Sequence, residues 1–150
     1  MLMKRKLRRA LSLSRGQWWI LTRAWVLLLL VDLGLRILPF TRLQKILTPK
    51  LPAVEESNLL ETLPTIQYLQ RWVGTAARNH LYPMTCLRRA LVLQWLLARQ
   101  GIAVNLRFGV RKEAGTLNAH AWLEHRGRPI GEPQRIARHY APLMASGAEQ

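Results

Sequence analysis

A single cysteine, Cys86, stands in 150 residues, which excludes an internal disulfide framework. In the reducing compartment that this implies, a free thiol is either buried filler or a nucleophile. Long apolar runs are also missing. The run Trp25 to Val31 stops at Asp32, and Ile20 to Leu38 is interrupted by Arg23, Asp32 and Arg36. A membrane-spanning helix needs about 20 largely apolar residues, so a buried core helix is expected here. No small-residue cleavage site follows the basic start Met1 to Arg9, so a secretory signal is not expected and a cytoplasmic location is. The chain has no glycine-rich phosphate loop, no repeat and no low-complexity stretch. Intrinsic nucleotide hydrolysis is therefore not indicated, and no cofactor is expected. His80, Cys86 and His120 lack the second cysteine or tight spacing of a zinc site, so no metal is expected either.

Acidic residues are scarce, 8 against 23 Lys and Arg, for a net charge of +15. The excess is uneven: +10 over residues 1–50, −1 over 51–85 and +6 over 86–150. Such a balance favours an acidic partner. Residues 1–14 interleave few aromatics with their basic side chains, so they read as a solvated leader; no nucleic-acid partner is expected. The same leader is compatible with peripheral contact at an anionic membrane.

Ser14 can cap a helix from Arg15, and apolar residues from Trp18 to Leu38 cover most of its circumference, so other elements should wrap it. Pro39 stops it. Thr41 can cap a short helix through Leu47, and residues 48–61, with Pro49 and Pro52, read as a linker. Thr62 should open a helix with Pro64 in its first turn and Ile66, Leu69, Val73 and Ala76 as a buried stripe, flanked by Tyr68 and Trp72. Thr85 is a suitable N-cap, which puts Cys86 in the first turn of a helix ending near Gly101. Two alternating segments follow, Ile102 to Val110 and Leu117 to Glu124. A three-residue loop, His125-Arg126-Gly127, would set Glu124 opposite Arg128 and His120 opposite Glu132, with His125 solvated at the tip.

Cys86, His120 and Glu132 are therefore the candidate catalytic residues. A thiol reacts as thiolate, which a helix N-terminus and a neighbouring imidazole both favour, and Arg88 and Arg89 add positive potential. A carboxylate fixes the imidazole tautomer. The free backbone N–H of Cys86 can meet an oxyanion, with Asn79, Tyr82 or another backbone group as second donor. Singly, each residue has an ordinary reading as packing or surface. It is the joint arrangement that points to chemistry. His139 is an alternative base.

Cys86-Leu87-Arg88-Arg89-Ala90, Gly101-Ile102, Gly109-Val110-Arg111-Lys112 and Ala119-His120-Ala121-Trp122-Leu123-Glu124 with Gly127 closely resemble the lasso-peptide leader peptidases, which are transglutaminase-like cysteine proteases. The strong part of the resemblance covers about residues 80–133, and Arg36-Ile37-Leu38-Pro39-Phe40 is similar more loosely. The resemblance implies that Cys86 attacks the bond joining leader to core, that His120 is base and then acid, and that Glu132 orients it. The family most often has aspartate at that last position. No strand-rich recognition module precedes residue 80, so the resemblance implies the protease half of a split system. Its partners would be the precursor peptide, a separate leader-recognition protein and the lasso cyclase, with the basic, Trp-bearing N-terminal helices as docking surface.

The expected fold is α+β in one domain: an N-terminal helical portion (1–47), then a transglutaminase-like or papain-like core (62–140). There the Cys-bearing helix packs on a small antiparallel sheet, and residues 141–150 form a loose tail. Two other readings compete. The same three residues could transfer an acyl group to an amine, or the chain could be a non-catalytic basic adaptor with Cys86 as filler.

Overall fold

Four helices precede four strands in the computed structural model, which describes residues 13–48, 59–131 and 140–143. They are α1 (Arg15–Ile37), α2 (Phe40–Leu47), α3 (Leu59–Arg78), α4 (Cys86–Ala98), β1 (Asn105–Glu113), β2 (Thr116–His125), β3 (Arg128–Ile130) and β4 (Ala141–Leu143). The fold is α+β, with the cysteine-bearing α4 packed on an antiparallel sheet of order β3-β2-β1-β4.

Local sequence explains most helix ends. Ser14 closes a capping box with Gln17: its hydroxyl accepts from the Gln17 N–H at 3.3 Å, and its own N–H donates to Gln17 Oε1 at 3.0 Å. At the other end Leu38 is extended, as the residue before a proline must be, and α1 stops. Thr41 does not cap α2. Pro39 takes that position without a side-chain bond, its fixed φ of −59° serving instead. Similarly, α3 starts at Leu59 and not at Thr62, so Pro64 lies inside the helix. Residues 49–58, most of the expected linker, are outside the described residues.

The helix at the centre is α4. Eight of its thirteen residues are buried, and α1, α3, β1 and β2 all pack on it. Around it the core gathers Leu28 and Val31 from α1, Ile66, Leu69, Val73 and Ala76 from α3, and Leu106, Ala121 and Leu123 from the sheet. Each such Leu, Ile or Val side chain contributes about 1.5–3 kcal/mol when fully buried. The α3 stripe forms as its spacing predicts, joined by Trp72, whereas Tyr68 is exposed.

The expectation that α1 is wrapped on all sides is overturned. It covers the core with one side, through Ala24, Leu28, Val31 and Asp32. The other side carries Trp19 (71% exposed), Leu30 (54%), Leu33 (50%) and Ile37 (69%) on its surface, with Val26 between them. No described helix is long and apolar enough to cross a membrane.

Both hairpins of the sheet turn on two residues at positive φ, Ala114 and Gly115 in the first, Arg126 (52°) and Gly127 (74°) in the second. Such turns match the right-handed twist of the strands they join. The second is thus one residue shorter than expected. Pairing runs His125↔Arg128, Glu124↔Pro129 and Leu123↔Ile130, so Glu124 does not oppose Arg128. His125 consequently belongs to β2 and is buried. One ring nitrogen, Nδ1, is 2.8 Å from the Ala103 carbonyl, and the other, Nε2, is 3.3 Å from the Thr62 hydroxyl. At the opposite edge, Ala141–Leu143 pairs with β1 as Val110↔Ala141, Gly109↔Pro142 and Phe108↔Leu143, so the expected tail begins with a paired strand.

Candidate active site

Thr85 holds the start of α4 in extended geometry (φ −68°, ψ 161°), and its hydroxyl accepts from the Arg88 N–H. Cys86 is accordingly the first helical residue, where backbone N–H groups have no partner within the helix. The thiol is half-buried. It lies in a cleft of 430 Å³ between α3, α4 and the β2 edge. α4 contributes Cys86, Arg89, Ala90 and Leu93, at the i, i+3, i+4, i+7 spacing of one helix face.

The strand side of the cleft is formed where β3 ends. Ile130 and Gly131 line it, together with Ala121, Trp122 and Leu123 of β2. Successive strand residues point to opposite faces. Ala121 and Leu123 belong to the core under α4, whereas Trp122 between them points to the other face of the sheet, where it too is buried. Gly131 takes a φ of 75°, which strains any residue with a side chain, and a β-carbon there would also push the Gln70 amide aside.

His120 adjoins this edge as the next residue along β2. Its imidazole is half-buried and nearly parallel to the Trp122 indole, with centroids 6.1 Å apart at 19°. The Tyr140 ring is 5.5 Å away. The residue opposite His120 on β1 is Gly109. A β-carbon there would lie 2.6 Å from Tyr140 Cβ and 2.8 Å from the Trp122 ring, so only glycine admits both aromatics beside the histidine. Glu124 fixes the indole in turn: Trp122 Nε1 donates to it at 3.2 Å while Arg107 pairs with its second oxygen at 3.0 Å. Cys86 and Trp122 thus line one cleft, while His120 is not among its lining residues and is related to it through its stack on Trp122.

Other expectations fare differently. With the second turn shortened, spacing no longer sets Glu132 opposite His120; Glu132 and His139 both lie outside the described residues. Arg88 does not add its charge to the thiol's surroundings. Its guanidinium turns away to the buried Asp32 of α1, with Nη2 2.6 Å from Oδ1. The Tyr82 hydroxyl donates to Asp32 Oδ2 at 2.5 Å, and the Asn79 amide donates to the Thr75 carbonyl at 2.8 Å. The Tyr82 hydroxyl is therefore committed to Asp32, whereas the Asn79 amide keeps a second N–H. His80 stacks on Trp25, with centroids 4.6 Å apart, and sits edge-on to Tyr82.

The Asp32 group has a defined electrostatic character. Its carboxyl is held below the usual carboxylate range by the Tyr82 hydrogen bond first and by the charges of Arg88 and Arg36 as well, against the opposing effect of burial. The same hydrogen bond pushes the Tyr82 phenol up. Sequence reading missed this group and the α3 wall of the cleft. Gln67, Gln70, Arg71, Gly74 and Arg78 recur at helical spacing beside the buried stripe, which was the available signal.

No curated protein and no solved structure shows significant similarity to the chain. A family model does: the transglutaminase-like superfamily matches residues 25–145, from the middle of α1 past β4. That span takes in the cleft, the cysteine at the helix start and the histidine-bearing strand, and cysteine-based catalysis is general in the superfamily. The chain belongs to the transglutaminase-like superfamily.

Proposed function

We propose that this chain is a cysteine endopeptidase that cuts the leader from a ribosomally made lasso precursor peptide. The observation that carries the reading is the position of Cys86, first residue of α4, in a cleft whose other wall is the edge of β2 next to His120. The sequence likeness of residues 80–133 to the lasso leader peptidases supplies the substrate class. The superfamily includes cysteine proteases and acyl transferases.

In this mechanism His120 takes the thiol proton and the sulfur adds to the last carbonyl of the leader. The oxyanion meets the free first-turn N–H of Cys86. His120 then gives its proton to the departing amine of the core peptide, the C–N bond breaks, and a thioester remains on Cys86. Water, deprotonated by His120, adds to the thioester; the C–S bond breaks and the leader leaves as a carboxylic acid. Glu132 orients the imidazole.

A separate leader-recognition protein brings the precursor, and the cyclase receives the core. The basic segment 1–14 and the outward face of α1 are the docking surface. Arg23 contributes less than its charge suggests, since its guanidinium is 5.1 Å from the Trp95 ring centroid on the protein's own α4.

Incubating the full chain with a matching precursor and recognition protein, followed by mass spectrometry, tests the reading. Leader ending in a free carboxylate, plus intact core, is the expected result. A leader mass raised by an added amine would show acyl transfer instead, and an unaltered precursor would remove the peptidase reading.

A further inference from the structure

The wall of the cleft that α3 supplies is cationic. Arg71 and Arg78 stand on it and Arg89 faces them from α4, while no lining residue among the described residues is a carboxylate. All three arginines are exposed, and none has an acidic partner within ion-pair distance among the described residues. This contrasts with Arg36, Arg88, Arg107 and Arg111, each of which pairs with an acid. Arg78 is also held in place. Its Nη2 donates to the Thr75 hydroxyl at 3.1 Å, and Thr75 in turn donates to the Arg71 carbonyl at 2.8 Å. Beneath these charges the floor is apolar, with Leu93, Leu123 and Ile130. Gln67 and Gln70 supply neutral donors and acceptors along the same helix face.

We propose that the cleft beside Cys86 binds an acidic stretch of the peptide substrate, with Arg71, Arg78 and Arg89 taking its carboxylates. Planar guanidiniums suit paired carboxylate oxygens, and converging like charges beside low-dielectric walls raise the local concentration of anions. A floor of aliphatic side chains fits a peptide better than a phosphate backbone. The inference rests on Cys86 being the nucleophile of the proposed peptidase, and names the kind of residue that flanks the bond it attacks.

The thiol itself reports the field. Alkylation of the full chain by iodoacetate and by iodoacetamide is followed by intact mass, with N-acetylcysteine amide as reference thiol. The iodoacetate-to-iodoacetamide rate ratio at Cys86 should exceed the reference ratio by about tenfold, the lower end of electrostatic rate enhancement in a charged cleft. It should fall as salt rises. Arg71→Gln, Arg78→Gln and Arg89→Gln should each lower the ratio by about twofold, and the triple variant should bring it to the reference. Arg42→Gln, on α2 outside the cleft, should not change it. Acetylated triglutamate should protect Cys86 from iodoacetamide where triglutamine does not.

A wild-type ratio equal to the reference, or one that the triple variant leaves unchanged, overturns the inference. So does protection by an oligonucleotide in place of triglutamate. Far-UV dichroism confirms that each variant is folded. Precursor cleavage assayed on the same preparations separates the two failures: a flat ratio with cleavage intact removes only the acidic-substrate inference, and absent cleavage removes the peptidase reading beneath it.

Discussion

Asp32 of α1 lies 2.6 Å from Arg88, two residues past Cys86 on α4. The only acid of the first helix is thereby bound to the opening turn of the helix that carries the thiol. Tyr82, in the loop leading to that turn, donates to the same carboxylate. Asp32 is 3% exposed, so its charge depends on these partners for solvation.

The clamp sets a pH window. Asp32 is depressed in the fold, so its contribution is present above the ordinary carboxylate range of about 4 and is lost as pH falls through the lower folded value. Tyr82 is raised, so its contribution is present below about 10 and is lost as pH rises through the higher folded value. Urea midpoints from pH 2 to 11 should show Asp32→Asn less stable than the wild type at neutral pH, with the gap closing in acid. Tyr82→Phe should lose the alkaline arm. A gap between Asp32→Asn and wild type that is the same at every pH would contradict this.

Gly109 faces His120 across the sheet. Gly109→Ala puts a β-carbon against both aromatic rings and should displace the stack that seats the imidazole. Misplacement of a catalytic group by about 1 Å can cost about 100-fold in rate. Cleavage should fall by about that factor while the variant remains folded by dichroism. Full activity would mean that the Trp122–Tyr140 stack does not position His120.

The exposed face of α1 separates packing from docking. Leu30→Ser and Leu33→Ser should change stability by no more than about 0.5 kcal/mol, as surface substitutions do. Affinity for the recognition protein, measured by titration, should drop at least about tenfold. Unchanged affinity would place the docking surface elsewhere.

Those same leucines show where sequence reading ends. Caps were legible, because Ser14 and Thr85 act within three residues of themselves. The α3 stripe was legible because a 3.6-residue period needs no knowledge of the partner. Which side of α1 would be covered was not, since its residues are apolar nearly all round and only tertiary packing selects Ala24, Leu28 and Val31. The register of β2 on β3 depended on whether His125 pairs or turns. That is decided by Thr62 and Ala103, far away along the chain. Cys86 at the helix start was legible from Thr85 alone; the Arg71 and Arg78 wall was not, because polar residues on the exposed side of a helix read as a solvated face until the facing α4 is in place.

The most direct test is leader release from a matching precursor by wild type, Cys86→Ala, His120→Ala and Glu132→Gln, followed by mass spectrometry with the recognition protein present. Removing the nucleophile or base of such a system typically costs about 10⁴-fold or more, and the orienting acid less. Cleavage should vanish in the first two variants and persist, reduced, in the third. Leader release by Cys86→Ala at the wild-type rate would contradict the account.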